Sequence, residues 1–299
     1  MTEAPRWAII VHGGAHTVPP DKAEASRAGV RAAVEAGCRV LEGGGAATDA
    51  VEAAIRVMED DPTFNAGYGS DVDEEGHVRM DAAMMDGRFL EVGAVAGLRG
   101  VWHPISVARR MLPEKEVLLI GGGARRFADE HGAELCDPAA LLSPEQAAAR
   151  SDTVGCVALD GHGHVAAGVS TGGLSGQRVG RVGDSPQVGC GFYADDGVGG
   201  VVLSGEGESI ARMMVAARFI HRVPGRHPED VLRDVLTEQR GRVGGEAGAV
   251  ALTPDGTPGW WHTSAHLPVA FLAAGQTEAQ VYLSKDEQHQ EAGHVQAPA

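Results

Sequence analysis

The pattern of apolar and polar positions in the first half of the chain predicts a short buried strand, two amphipathic helices, a group of strands and then further helices. Residues 7–11 form an apolar run that ends at His12-Gly13-Gly14, which is typical of a buried strand. Apolar residues then recur at helical spacing from Asp21 to about Gly43, and again from Ala50 to Met58. The same pattern predicts further strands over 77–80, 82–85 and 92–96, and further helices over 105–111, 123–131 and 144–150.

A polar stretch in the middle of the chain separates this half from a second set of strands and helices. Residues 136–152 are polar, are interrupted by Pro138 and Pro144, and are the best linker candidate. Strands over 154–159 and 164–170 flank a Gly-rich turn that predicts a hairpin. Further strands are predicted over 200–203, 249–253 and 259–263, and further helices over 208–221 and 228–239. Because strands and helices are grouped within each half, the pattern favours stacked sheets flanked by helices over a βαβ alternation.

Composition and charge exclude several classes of function. With 299 residues, 43% of them hydrophobic, the chain can form one large domain or two small ones. Its net charge of −16, without any basic run, argues against nucleic acid or an anionic membrane surface as a partner. No stretch is long and apolar enough to span a bilayer, and the N-terminus lacks the apolar segment of a signal peptide. We therefore expect a cytoplasmic protein whose four widely spaced cysteines, with no C-x-x-C motif, are reduced.

Thr153 stands where the polar linker meets the first strand of the second half. On composition alone it is a β-branched residue that opens a strand. A chemical role becomes available if the Asp152–Thr153 bond is broken, because Thr153 then carries both its hydroxyl and a free α-amine. Such an amine, with a pKa of about 7.7–8, can accept the hydroxyl proton near neutral pH. A cut at a linker also costs the fold little connectivity.

Motifs on both sides of Thr153 resemble those of a known family. The motifs are His12-Gly13-Gly14-Ala15, Phe64-Asn65-Ala66-Gly67, Thr153-Val154-Gly155, Ser170-Thr171-Gly172-Gly173, Gly180-Arg181-Val182-Gly183-Asp184-Ser185-Pro186 and Ser204-Gly205-Glu206-Gly207-Glu208. In this order, over residues 7–271, they resemble the plant-type asparaginase/isoaspartyl peptidase family of N-terminal-nucleophile hydrolases, which is related to glycosylasparaginase. The resemblance implies an α+β fold, a four-layer αββα sandwich built as a single domain.

The resemblance also implies a two-stage chemistry. The precursor is expected to cut itself between Asp152 and Thr153 into pieces 1–152 and 153–299, which stay together. Thr153 is then expected to attack the side-chain amide carbonyl of a small-molecule substrate and to form an acyl-enzyme that water releases. Thr171 is expected to hydrogen-bond near this nucleophile. No cofactor is expected for catalysis.

Four further residues are implied to bind substrate or to stabilise charge. Arg181 is expected to hold the substrate α-carboxylate with its planar guanidinium, and Asp184 to pair with the α-ammonium. Ser204 and Gly205 stand where the family has its oxyanion hole, and Gly205 also lies at the substrate. Ser204 replaces the threonine usual there, which keeps the hydroxyl but frees its rotamer.

The loop after the second predicted helix is implied to support the site. Asn65 is expected to hydrogen-bond near the nucleophile. The same loop resembles one that wraps a structural sodium ion, and hard cations favour such carbonyl oxygens. The expected carbonyl ligands belong to Met58, Glu59, Asp61, Phe64, Ala66 and Tyr68.

Three hypotheses for the function follow, and the resemblance adds a homodimer of two-piece protomers. The first is hydrolysis of β-aspartyl dipeptides and L-asparagine. The second is glycosylasparaginase, since an Asp–Thr cleavage site is typical of that enzyme although the missing signal peptide counts against it. The third is an unprocessed, inactive homologue that binds aspartate-like ligands.

Two local patterns favour structure over function. His12 and His16 have the spacing of a helical metal pair, but the glycines between them at a strand end argue against a helix. The acidic run from Asp71 to Glu75 lacks the ligand spacing of a calcium loop and is expected to be a solvated turn.

Overall fold

The computed structural model describes residues 7–143 and 153–295 of the protein. The strands are β1 (Ala8–His12), β2 (Met80–Asp86), β3 (Glu91–Leu98), β4 (Leu119–Ile120), β5 (Thr153–Leu159), β6 (Val165–Thr171), β7 (Phe192–Asp195), β8 (Gly199–Gly205), β9 (Ala247–Leu252), β10 (Pro258–His262), β11 (Val269–Ala273) and β12 (Gln280–Tyr282). The helices are α1 (Ala23–Glu42), α2 (Ala47–Glu59), α3 (Pro104–Arg110), α4 (Gly121–Glu130), α5 (Gly207–Met213), α6 (Val215–Arg222), α7 (Pro228–Val243) and α8 (Lys285–Val295).

The strands form two sheets that are largely antiparallel. Eight strands pair in the order β12-β11-β1-β5-β6-β2-β3-β4, and four pair in the order β10-β9-β8-β7. Only the short β3–β4 contact is parallel among the described pairs. The middle of the large sheet therefore brings β1, from the first half of the chain, beside β5 and β6, from the second.

Three buried clusters separate four layers of structure. Neighbouring residues of one strand point into different clusters, as the pleat of a strand requires. Ile9 packs among residues of α1 and α2, whereas Ile10 packs between the two sheets. Val202 also lies between the sheets, while Leu203 faces α6 and α7. The predicted α+β fold with αββα layering is confirmed, and burial on both faces explains why the strands read as continuous apolar runs.

Small side chains let these layers approach closely. A Cβ atom built on Gly168 of β6 would lie 2.6 Å from Val51 Cγ1 of α2. Likewise, a Cβ on Gly200 of β8 would lie 2.7 Å from Val157 Cγ1 of the large sheet. The abundance of glycine in this chain therefore has a packing reason at the two interfaces beside β5 and β6.

Several predicted elements differ from the structure. The helix predicted over 208–221 is two helices, α5 and α6, because Met214 adopts a left-handed conformation with φ of 48°. Residues 77–79 are not a strand; β2 begins at Met80. The strands β7, β11 and β12 and the helix α8 were not predicted, and the helix predicted over 144–150 lies outside the described residues.

Two general features of the structure bear on its environment. The four cysteines are free, and Cys38 and Cys156 are buried. Among the described helices, none combines the length and the apolar character that crossing a membrane requires.

Candidate active site

Three neighbouring strands of the large sheet bring polar side chains into one row. Thr153 is the first residue of β5 and pairs with Thr171, the last residue of β6. Thr171 in turn pairs with Asp81 of β2. Because paired residues of adjacent strands are neighbours in space, the row begins at the predicted nucleophile and crosses the sheet sideways.

A small pocket opens above this row. Its cavity volume is about 10 Å³, far below the roughly 300–1,000 Å³ of drug-sized sites, so the pocket is narrow. The pocket is lined by Thr153, Thr171, Gly173, Leu174, Arg181, Gly183, Asp184, Ser185 and Gly205. The structure thus brings together five of the predicted site residues on one surface, with Ser204 and Asn65 behind it.

A larger depression of about 620 Å³ lies elsewhere, between the α6–α7 connection and the β9–β10 hairpin. Its charged side chains are engaged in local structure. Arg226 is paired with Asp234 at 2.6 Å, and Asp255 accepts hydrogen bonds from its own turn. Since its chemistry is that of a solvated surface, the smaller pocket is the candidate site.

The hydroxyl of Thr153 is buried and hydrogen-bonded. Its Oγ1 lies 3.2 Å from Ser185 Oγ. Thr171, which was expected to be the hydrogen-bonding neighbour, uses its own Oγ1 to accept from the Gly173 amide at 3.1 Å. In this uncut chain, therefore, Ser185 holds the Thr153 hydroxyl while Thr171 shapes the loop beside it.

Ser204 has a hydroxyl proton left to donate. Its Oγ accepts from the backbone amide of Ala15 at 3.0 Å and from the Thr153 nitrogen at 3.3 Å. A hydroxyl has two acceptor sites and one proton, so both acceptor sites are in use and the proton is left to donate. A donor of this kind beside Gly205 suits a developing oxyanion.

Arg181 presents a charged group at one wall of the pocket. Its Nε and Nη2 atoms donate to the two carboxylate oxygens of Glu208, each at 3.0 Å. Its Nη1 atom is 3.3 Å from Gln177 Oε1. The hydrogen bond from Arg181 is the main reason that the pKa of Glu208 is lowered. Glu208 therefore fixes one edge of the guanidinium, and one N–H of Nη1 and one of Nη2 remain for a ligand.

Asp184 is the buried carboxyl of the pocket. Its Oδ2 has no hydrogen-bond partner among the described residues. Burial raises the pKa of Asp184 to about 7, although the positive charge of Arg181 acts in the opposite direction. A buried acceptor without a partner in a concave site is well placed to receive a cationic donor from a ligand.

Comparison with known proteins decides the family. The model of a family described as asparaginase matches residues 5–149 and 140–282. A zebrafish (Danio rerio) protein named isoaspartyl peptidase/L-asparaginase is 36% identical over 90% of this chain and 92% of its own length. Proteins of the same name from Xenopus laevis and Mus musculus are 39% and 36% identical, over 83% and 92% of this chain and 86% and 90% of their own lengths. This chain belongs to the asparaginase family.

In this asparaginase-family chain, Asn65 hydrogen-bonds to the loop beside Thr171. Its Nδ2 donates to the Gly173 carbonyl at 2.8 Å, and its Oδ1 accepts from the Asp71 amide at 2.8 Å. A Cβ on Gly172 would lie 2.2 Å from Asn65 Oδ1, so only glycine fits there. Asn65 therefore sets the position of Gly172-Gly173 instead of touching the Thr153 hydroxyl.

His12 lies directly under the nucleophile as an uncharged side chain. It pairs with Gly155 across the β1–β5 ladder, and its ring faces the Thr153 backbone. Burial lowers the pKa of His12 to about 3, so the imidazole is neutral at physiological pH. His12 therefore adds no charge to the site, and the Nδ1 atom of His16 lies 3.3 Å from the Gly14 carbonyl oxygen.

The acidic turn after the site loop is only partly solvated. Asp73 is buried, is paired with Arg79, and accepts from the amides of Glu75 and His77 at 3.0 and 2.9 Å. The expectation of a solvated turn is therefore wrong for Asp73, whose carboxylate is a structural anchor.

Sequence reasoning missed three residues of the site. Ser185 and Glu208 lie inside motifs that were recognised, but their contacts depend on how distant segments fold together. Asp81 carried no local signal, because its relation to Thr171 arises from strand pairing alone.

Proposed function

We propose that this protein hydrolyses β-aspartyl dipeptides and L-asparagine, with Thr153 as an N-terminal nucleophile. The observation that carries the proposal is the position of Thr153. It opens a strand and lines the pocket, its nitrogen donates to Ser204 Oγ, and charged head-group partners lie on the same surface. The names of the relatives support both activities.

The first step of the proposal is self-cleavage of the Asp152–Thr153 bond. Asp152 lies outside the described residues, whereas Thr153 is the first described residue of the second half. Hydrolysis of this bond consumes one water and yields chains 1–152 and 153–299. The Thr153 nitrogen changes from an amide, which cannot accept a proton, to an amine, which can.

Turnover then uses the groups around Thr153. The free amine accepts the hydroxyl proton as Oγ1 attacks the side-chain amide carbon of the substrate. The Ser204 hydroxyl donates to the carbonyl oxygen as it becomes negative. The leaving amine departs with the proton, and water attacks the resulting ester to release aspartate and restore the threonine.

The charged wall of the pocket explains why both substrates fit one site. Each presents an α-carboxylate, for the free side of Arg181, and an α-ammonium, for Asp184. Each also presents a side-chain amide at the same distance from that head group. The two substrates differ only beyond the scissile bond, where the leaving group is an amino acid or ammonia.

A substrate comparison tests the proposal. Purified protein should release leucine from β-aspartyl-leucine and ammonia from L-asparagine, and it should leave α-aspartyl-leucine intact because that dipeptide lacks the side-chain amide bond. Faster turnover of a glycosylated asparagine than of both substrates would establish the glycosylasparaginase alternative instead.

A structural sodium ion belongs to the same proposal. The loop carbonyls of Glu59 and Asp61 already accept backbone hydrogen bonds from Tyr68 at 2.7 Å and Phe64 at 3.1 Å. A carbonyl oxygen has a second lone pair, so these oxygens can also face a cation. A Cβ on Gly67 would lie 2.4 Å from the Glu59 carbonyl oxygen, so the loop closes tightly around these oxygens. The ion would hold the loop that carries Asn65, and exchange of sodium for choline should lower the melting temperature.

The assembly and the compartment are also proposed here. A homodimer of two-piece protomers follows from the family resemblance, and light scattering should give twice the protomer mass. A reducing compartment such as the cytoplasm agrees with four free cysteines, two of them buried.

A further inference from the structure

Ser185 is a buried serine of the pocket wall that the proposed chemistry does not use. It is 1% exposed, it lines the pocket, and it directly follows Asp184 in the chain. Its Oγ lies 3.2 Å from Thr153 Oγ1. Among the described residues this is the hydrogen bond that the hydroxyl of the proposed nucleophile makes, so the position of that hydroxyl depends on Ser185.

The backbone of Ser185 is fixed by a tight turn. The Gln187 amide donates to the Asp184 carbonyl at 2.9 Å, and Gln187 Nε2 donates to the Gly183 carbonyl at 2.7 Å. A Cβ on Gly191 would lie 2.9 Å from Ser185 Cα, so the turn packs directly on the backbone of Gly191. A hydroxyl carried by a turn that is bonded and packed in this way can serve as a fixed point for a reacting atom.

The same turn is connected to the oxyanion side of the pocket. The Gly191 carbonyl accepts from the amide of Leu203 at 2.9 Å, and Leu203 immediately precedes Ser204 in β8. Ser204 Oγ in turn accepts from the Thr153 nitrogen at 3.3 Å. The nitrogen and the hydroxyl of Thr153 are therefore held by two serines whose backbones are joined through Gly191.

The proposed chemistry decides which hydroxyl donates in the Ser185–Thr153 hydrogen bond. In the cut chain the Thr153 hydroxyl has to give its single proton to its own amine. Its oxygen can then only accept from Ser185, whose hydroxyl must be the donor. A hydrogen bond donated to Oγ1 holds this oxygen in place and stabilises the negative charge that grows on it as its proton leaves.

We propose that Ser185 is a further catalytic residue, whose hydroxyl donates to Thr153 Oγ1 and holds this oxygen for attack. The inference rests on the proposed role of Thr153 as the nucleophile. Because the hydrogen bond is already present in the uncut chain, Ser185 serves self-cleavage as well as turnover. Its role differs from those of Arg181 and Asp184, which hold the substrate and not the nucleophile.

The test compares Ser185→Ala with the unmodified enzyme. The variant loses the hydroxyl and keeps the backbone of the turn. We expect self-cleavage and kcat for L-asparagine each to fall by about tenfold, as for loss of one buried hydrogen bond. KM and the inhibition constant of L-aspartate should stay within about twofold, because the head-group residues are untouched. An alanine variant in which either rate stays within about twofold of the unmodified enzyme would overturn the proposal.

Two control variants separate the hydroxyl from the packing of the turn. Ser185→Thr restores a hydroxyl and should recover most of both rates; if it is as slow as the alanine variant, packing is responsible and the proposal fails. Gln187→Ala loosens the same turn while both hydroxyls remain. It should raise the inhibition constant of L-aspartate, through the adjacent Asp184, and leave kcat within about threefold. The same result in Ser185→Ala would show that Ser185 only supports the turn, and would overturn the proposal.

The unmodified protein and a second substitution keep the outcomes distinct. If the unmodified protein stays one chain and hydrolyses neither L-asparagine nor β-aspartyl-leucine, the proposed function fails and the role of Ser185 fails with it. If it is cut and active while Ser185→Ala is equally fast, only the role of Ser185 fails. Ser185→Cys, which keeps the shape and offers only a weak S–H donor, repeats the test if the alanine variant does not fold. Failure of both to fold would show that Ser185 serves the fold alone, and would also overturn the proposal.

Discussion

The two ends of the β5–β6 pair each hold a buried aspartate, and the two carboxylates differ in the hydrogen bonds that they accept. At the hairpin end, Asp160 Oδ1 accepts from the amides of His162 at 2.8 Å and His164 at 3.1 Å, and its Oδ2 accepts from Ala47 at 3.2 Å. At the other end, Asp184 keeps Oδ2 without a partner, and its pKa is raised to about 7 by burial.

This contrast separates structure from function within one pair of strands. A buried carboxyl that has found its hydrogen bonds stabilises the turn and the start of α2, and it has nothing left to offer a ligand. A buried carboxyl left short of partners destabilises the fold and persists where a ligand completes it. The hydroxyls of Thr153 and Ser204 lie at the same end of the β5–β6 pair as Asp184.

Removing the nucleophile should have the largest effect. In Thr153→Ala the hydroxyl is absent, so we expect no self-cleavage and a fall in kcat of at least about 10³-fold, as for other covalent nucleophiles. The circular dichroism spectrum should be unchanged, because the side chain is small and the strand is already formed. A variant that still cuts itself and releases ammonia from L-asparagine would remove Thr153 from the mechanism.

Removing the proposed oxyanion donor, Ser204, should have the second largest effect on activity. Ser204→Ala should lower kcat by about 10²–10³-fold, the usual loss for one such donor. Ser204→Thr keeps the hydroxyl and serves as the matched control, with kcat expected within a few fold of the unmodified enzyme. Equal losses in both variants would mean that packing, and not hydrogen-bond donation, is what Ser204 provides.

Changing Asp160, the carboxylate whose hydrogen bonds are all made, should affect stability alone. Asp160→Ala leaves three amides without their acceptor, and we expect a loss of about 2–3 kcal/mol of unfolding free energy in urea titration. The KM and kcat of the folded fraction should remain those of the unmodified enzyme. A raised KM would contradict the assignment of Asp160 to stability alone.

Changing the unsatisfied carboxyl, Asp184, should affect stability with the opposite sign. The folded state holds a proton on Asp184 more tightly than the unfolded state does, so stability falls as pH rises from about 4 to about 7. Asp184→Asn has no proton to lose. Above pH 7 it should therefore be more stable than the unmodified enzyme, while losing affinity for L-aspartate. Parallel stability curves for the two proteins would contradict this account.

The strands and helices with strong local patterns were predictable from sequence, and their long-range relations were not. In α1 the buried positions Val30, Val34, Cys38 and Leu41 recur at helical spacing, so the prediction of that helix needed only the residues themselves. The break at Met214 carries neither glycine nor proline, so the sequence pattern continues through it.

The same distinction applies to the site. Arg181, Asp184 and Ser204 belong to compact motifs and could be named from them, and the αββα fold followed from the family resemblance. The contact of Ser185 with Thr153 depends on how a loop packs against β5, and the row from Thr153 to Asp81 depends on strand pairing between residues up to 90 positions apart. No local pattern encodes either relation.

The central claim is that Thr153 becomes the first residue of a second chain. Intact mass spectrometry with N-terminal sequencing of purified, active protein measures this directly. We expect two chains in equal amounts, one of which begins Thr-Val-Gly-Cys. A single chain of 30.9 kDa that nevertheless releases ammonia from L-asparagine would contradict the mechanism, and an uncut, inactive chain that binds L-aspartate would establish the binding-protein alternative.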